Sequence, residues 1–142
     1  MPFATFITVE EVTDPLIDTK QVQNATGNPT FRILDARTAE RCRGEIEPID
    51  PVAGHIPGAV SSPYQENLNS EGKFLASEIL RIRNEKLTKT VSPSNVICYC
   101  GSGVTAAHNL LAIAHAGLGM GKLYADSWSE WVADPARPIA RG

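Results

Sequence analysis

The stretch Cys100-Gly-Ser-Gly-Val-Thr-Ala106 carries the residues best suited to chemistry. It follows a short apolar run, Asn95-Val-Ile-Cys-Tyr99, and leads into an Ala/Leu-rich run over 106–116 that ends at Gly117. The pattern predicts a strand, a glycine-bearing turn and then a helix. A cysteine in such a turn sits where backbone N–H groups converge and where the helix contributes its positive end. Both effects favour an anion, so a thiolate at Cys100 is expected to form more readily than in water. Gly101 and Gly103 let the backbone bend tightly around the sulfur. Ser102 could donate a hydrogen bond to an atom carried on that sulfur, or could simply ease the turn. The bland reading of the whole stretch is a structural cysteine ahead of an ordinary helix.

A base for a Cys–His hydrolase is not at hand, because His108 falls about two turns down the expected helix. His108 and His115 read as surface or packing residues. Arg37 and Arg41 are four apart on the short helix expected just after Asp35, running to Arg43, so their side chains share a face. Together they could clamp a carboxylate or sulfonate, since arginine suits bidentate anion recognition. Alternatively they are solvated helix charges paired with Glu40 and Glu45. Trp128 and Trp131, three apart, read as core anchors.

These residues need elements to hold them. A strand is expected over 31–34, ending on Asp35, with Gly44 stopping the helix that follows. Residues 45–58 hold Pro48, Pro51, Gly54, Pro57 and Gly58, too many breakers for regular structure. A loop of that length inside a compact domain is usually functional or disordered. Short strands are expected over 59–62 and 122–125, and an amphipathic helix over 74–86. Residues 127–131 suit one helical turn capped by Ser127, with Glu130 three residues on. Nearer the start, residues 3–9 read as a strand and Thr8 with Glu11 as a capping box. Residues 21–29 read as a loop, and 134–138 as the end of the ordered part. Strands alternating with helices imply an α/β fold with a mostly parallel sheet. Ligands bind such sheets at the carboxyl ends of the strands, so Asp35 and Cys100 are expected to face one crevice.

Composition narrows the function. The 142 residues, 42% hydrophobic, fit one domain over 1–142 with a core of its own. A net charge of −3 and a pI near 5.6 give no reason to expect nucleic acid or an anionic membrane as partner. No stretch reaches the ~20 apolar residues of a membrane span, and the first ten residues lack a signal peptide's charged start and apolar core. Cys42, Cys98 and Cys100 are too few for a disulfide framework. Cys98 and Cys100 point to the same face of a strand, so a bridge between them would be strained. His55, His108 and His115 show no zinc-ligand spacing. The expectation is a reducing, cytoplasmic setting.

Asp35-Ala-Arg37, Arg41, Gly44-Glu45, Gly54-His-Ile-Pro-Gly-Ala59, Cys100-Gly-Ser-Gly-Val-Thr-Ala106 and Ser127-Trp-Ser-Glu-Trp131 together resemble the rhodanese family. More closely, they resemble the catalytic domain of thiosulfate and 3-mercaptopyruvate sulfurtransferases. The match runs over about 31–131 in unbroken order. The resemblance implies a five-stranded parallel sheet flanked by helices on both faces. It also implies a persulfide mechanism with no cofactor or metal. Cys100 takes the outer sulfur of a donor and passes it to a thiophilic acceptor such as cyanide, a small thiol or thioredoxin.

By the same resemblance, Ser102 polarises or protonates the departing enolate and Arg41 lines the donor pocket. Asp35, Arg37, Gly101, Gly103, Val104 and Thr105 complete the substrate site. Thiosulfate-preferring members carry an Arg-Lys pair directly after the cysteine, where this chain has Gly101 and Ser102, as in the mercaptopyruvate type. Two departures stand out. Asp50 replaces a second carboxylate-binding arginine. The usual enzymes also have a preceding inactive domain that contributes to the donor pocket, and 142 residues leave room for the catalytic half alone. A thiosulfate enzyme and a sulfur-relay module without efficient donor turnover are the other readings. A cysteine phosphatase would need an arginine where Ala106 stands.

Overall fold

The computed structural model describes residues 16–88, 91–101 and 104–142. In chain order the elements are α1 (Thr19–Ala25), β1 (Arg32–Asp35), α2 (Ala39–Arg43), β2 (Val60–Ser61), α3 (Ser77–Thr88), β3 (Val96–Tyr99), α4 (Val104–His115), β4 (Lys122–Leu123) and α5 (Ser127–Trp131). Short 3-10 turns cover Tyr64–Asn67 and Pro93–Asn95.

The strands form one parallel sheet in the order β2-β1-β3-β4. Four strands stand among the described residues, against the five expected. The edge beyond β4 is taken by a single parallel bridge from Leu16 to Leu123, with the Ile17 N–H donating to the Leu123 carbonyl at 3.0 Å. The expected strand over 3–9 and the Thr8–Glu11 capping box lie outside the described residues.

β3 is buried along its whole length, as a central parallel strand covered on both faces must be. Alternation divides its side chains between two cores. Ile97 and Tyr99 join Ile33 of β1, Val22 of α1 and Trp128 and Trp131 of α5 on one face. Val96, Cys98 and Cys100 join Leu34 of β1 and Ala106, Leu110 and Ile113 of α4 on the other. Helices therefore flank both faces. The tryptophans are core anchors as expected, and each indole N–H reaches a carbonyl, Val52 at 2.9 Å and Pro138 at 2.8 Å.

Several boundaries differ from the sequence expectation for physical reasons. Residues 19–25 are a helix, because Asp18 and Gln21 form a reciprocal capping box and only Val22 and Ala25 need burial. α3 starts at Ser77 because Phe74 bridges back to Leu68. The segment after Pro138 is ordered: Ala140 and His55 exchange backbone hydrogen bonds at 2.8 and 2.9 Å, and the Gly142 N–H donates to the Arg43 carbonyl at 2.9 Å.

Candidate active site

Cys100 follows the carboxyl end of β3, and α4 begins at Val104. Its backbone is tied on both sides. The Cys100 N–H donates to Ser127 Oγ at 3.1 Å, and its carbonyl accepts the Trp128 N–H at 2.9 Å. The next carbonyl, of Gly101, accepts the Ser129 N–H at 3.1 Å. Ser127 does not cap α5 as the sequence suggested. The N-cap is Asp126, and the Ser127 hydroxyl is spent on the Cys100 N–H and the Tyr124 carbonyl. Ser127 also holds a left-handed backbone, φ 60°.

Cys100 opens onto a cleft of about 320 Å³ shared with Arg41, Asp50, Tyr64, Gly101, Thr105 and Ser129, among others. Arg41 lies directly against the loop. A Cβ on Gly101 would fall 3.3 Å from Arg41 Nη2, so the glycine gives the guanidinium its place. α2 delivers Arg41: Thr38 caps it, and Gly44 in the left-handed region, φ 82°, ends it.

Arg37 and Arg41 both line the cleft, but Arg37 is held by partners of its own. Arg37 precedes α2 and is buried, with Nε and Nη2 on the Asp35 carboxylate, Nη2 also on the Gly54 carbonyl at 2.6 Å, and Nη1 3.3 Å from Glu47. Its guanidinium lies 4.8 Å from the centre of the Trp128 ring. Burial alone would lower the Arg37 pKa, but the hydrogen bond and charge of Asp35 raise it, so it stays a cation. Asp35 does not face the crevice; it is fully buried beneath Arg37. Arg41 instead pairs with Glu47 at 2.8 Å and approaches Asp50 at 3.6 Å. Burial pushes Glu47 up, yet the Arg41 hydrogen bond and the N–H groups of Asp50 and Ile49 hold its carboxyl below the usual range.

Gly101 and Thr105 line the cleft as expected. Val104 is the first residue of α4, and Ser102 and Gly103 lie outside the described residues. Glu47, Tyr64 and Gln65 were not found from sequence, and Ser127 and Ser129 entered only as part of the 127–131 motif. Tyr64 and Gln65 sit on a 3-10 turn whose Asn67 joins Asn109 and Arg83 in a buried hydrogen-bond chain. His108 packs edge-on against Tyr64 and Phe74, and burial lowers its pKa, in line with the packing role expected.

The other two thiols are poor nucleophiles. Burial pushes Cys98 up to about 12, helped by the neighbouring Cys100. Burial, then Asp35, pushes Cys42 up to about 12. No disulfide joins the three cysteines. Among the described residues no cluster of His, Cys, Asp or Glu could hold a metal ion, and no helix is long and apolar enough to cross a membrane.

A parallel α/β sheet with a cysteine at the carboxyl end of its central strand, an arginine folded over the loop and a helix leaving it defines a recognisable class. Residues 18–134 match the model of the rhodanese-like domain, and the chain belongs to that family. It is 51% identical over 127 residues to the probable 3-mercaptopyruvate sulfurtransferase of Pseudomonas aeruginosa, covering 89% of this chain and 45% of that protein. It is 46% identical over 112 residues to the putative thiosulfate sulfurtransferase SseB of Mycobacterium tuberculosis, covering 78% and 38%. Among solved structures, Tum1 of Saccharomyces cerevisiae superposes with a TM-score of 0.74 at 32% identity, covering 89% of this chain and 46% of that one. The chain thus spans less than half the length of the relatives it matches.

Proposed function

We propose that the chain is a sulfurtransferase that moves the sulfur of 3-mercaptopyruvate, through a persulfide on Cys100, to a thiophilic acceptor. The carrying observation is the placement of Cys100 at the end of β3, facing a cleft with the Arg41 guanidinium laid against the adjoining Gly101. The donor carboxylate meets Arg41. The Cys100 thiolate attacks the donor sulfur, the carbon–sulfur bond breaks, and the enolate of pyruvate leaves and is protonated. Ser102, by its place in the matched motif, assists that proton transfer. The positive end of α4 favours the anionic sulfur throughout. Asp35 and Arg37 act as positioning residues that fix the loop around Gly54, Gly101 and Thr105 line the cleft, and Gly103 and Val104 belong to the substrate site by their place in the matched motif. The chemistry calls for no metal or cofactor.

Cyanide, small thiols and thioredoxin are the acceptors in this reading, in a reducing compartment such as the cytoplasm. A preceding inactive rhodanese domain would complete the donor pocket. The relatives' names support the class, with the Pseudomonas protein named for mercaptopyruvate. A thiosulfate-using enzyme is the second reading, favoured by the name of the Mycobacterium relative. The carboxylates of Glu47 and Asp50 beside Arg41 weigh against a dianionic donor.

Thiocyanate formation with each donor in turn tests the assignment. Turnover of 3-mercaptopyruvate well above thiosulfate is expected, and the reverse preference would sink the proposal. Donor treatment should add the mass of one sulfur to the wild type and none to Cys100→Ser. A protein that loads and discharges sulfur only from another persulfide protein would instead be a relay module.

A further inference from the structure

The charges around the cleft do not cancel. Arg37 and Arg41 are the two cations, and Asp35, Glu47 and Asp50 are the three carboxylates in ion-pair contact with them. Asp35 and Glu47 take up Arg37, and the short contact of Arg41 goes to Glu47. Asp50 Oδ2 is left 3.6 Å from Arg41 Nη2 with no hydrogen bond, although the Asp50 side chain is only 8% exposed. Its Oδ1 lies 2.8 Å from the Ser129 hydroxyl, but that single proton also has the Gly101 carbonyl 2.9 Å away. The wall therefore holds more acceptors than donors, and no lysine or histidine lines the cleft among the described residues. A buried carboxylate oxygen without a donor is costly, and its charge opposes a nearby thiolate unless a ligand neutralises it.

We propose that Asp50 is a specificity-determining residue that selects, as sulfur acceptors, small thiols carrying an ammonium beside their carboxylate, the α-amino-acid thiols. The inference rests on Cys100 carrying sulfur as proposed above. Arg41 Nη1, which makes no hydrogen bond among the described residues, takes the acceptor carboxylate, and Asp50 Oδ2 takes the ammonium. The close spacing of the two protein groups suits two charges borne on one carbon. Cysteine and 3-mercaptopyruvate share the carboxylate, the three-carbon chain and the terminal sulfur. They differ in the middle carbon, which bears an ammonium in one and a keto oxygen in the other. Asp50 receives the ammonium, a contact that the keto acid cannot make.

In the transfer step the acceptor, having lost its thiol proton to solvent, attacks the outer sulfur of Cys100–S–SH. A new sulfur–sulfur bond forms, the old one breaks, and Cys100 leaves as thiolate. The sulfur changes bearer with no outside oxidant or reductant.

The test uses the whole protein loaded with sulfur, with loading confirmed by the mass gain of one sulfur atom. Loaded protein is mixed with L-cysteine or with 3-mercaptopropionate, which has the same skeleton without the ammonium, and loss of that mass is timed. Each rate is divided by the rate of the same thiol with a small-molecule persulfide, which removes intrinsic reactivity. A normalised preference for cysteine of about tenfold or more is expected, the scale of a charge-assisted hydrogen bond. Asp50→Asn, which keeps the side-chain shape and the acceptor for Ser129, should bring the ratio close to one. Equal normalised rates in the wild type, or an unchanged preference in Asp50→Asn, overturns the proposal. Where Asp50→Asn fails to fold, Asp50→Ser, which also removes the charge, is read by the same ratio. A protein that never gains the sulfur mass refutes the persulfide reading itself, and the mass measurement tells that failure apart.

Discussion

At Cys100 the backbone is fixed before any substrate arrives, and Ser127 does much of the fixing. Its hydroxyl accepts from the Cys100 N–H and donates to the Tyr124 carbonyl. Ser127→Ala leaves that buried N–H unpaired, at an expected cost of about 1–3 kcal/mol. The urea midpoint should fall, and turnover should fall with it as the sulfur loses its orientation. The three thiols should also separate in reactivity. Cys42 and Cys98, both pushed up to about 12, should resist a small alkylating agent in the native state near neutral pH, leaving Cys100 as the residue modified in a peptide map. At this scale the sequence announced Cys100, Arg41 and Asp50, because residue type and motif order carry them. It was silent on Glu47 and gave Ser127 only a capping role, because their partners Arg41 and Cys100 are chosen by how distant segments pack. For Arg37 the charge suggested a ligand contact, and the fold adds that its side chain, at the cleft wall, is buried on Asp35.

The loop over 45–58 shows what an element without regular structure can still do. Its breakers rule out a helix or strand, so its order comes from side chains: Glu47 bridges Arg37 and Arg41, and Asp50 meets Ser129. Because the folded state holds the Glu47 carboxyl below its ordinary value, its contribution to stability is complete above that value. It is lost as pH falls through the lower, folded value. Glu47→Gln should therefore melt below wild type at neutral pH, with the gap closing as pH drops below about 4, the ordinary carboxylate range. A gap that stays constant across thermal melts from neutral to acid would contradict this account. Short capped helices such as α2 were readable from Thr38 and Gly44. α1 was not, because one cap outweighs a polar sequence with only two buried residues.

Across the whole molecule, the parallel order and the two-sided burial of β3 followed from apolar runs between helical patterns. The return of the C-terminal segment did not, since Pro-rich polar sequence gives no sign of pairing with His55. That return packs closely on Gly54, where φ is 131° and a Cβ would fall 2.6 Å from the Ala140 carbonyl. Gly54→Ala should destabilise the chain by about 2 kcal/mol or more through strain and collision together. The same substitution should cost less in a chain ending at residue 138, where the collision is gone. Denaturation of the four proteins in that cycle measures the coupling. Gly54 also offers its carbonyl to Arg37, so strain there reaches the site.

Trp128 gives the molecule a built-in optical consequence. It is one of only two tryptophans in the chain, and both are fully buried. Its ring lies under Arg37, its indole N–H holds Val52 of the long loop, and its own N–H holds the Cys100 carbonyl. Part of the intrinsic emission therefore originates within one residue's reach of Cys100. Its wavelength and quenching can follow occupancy and loop attachment in real time without any attached dye.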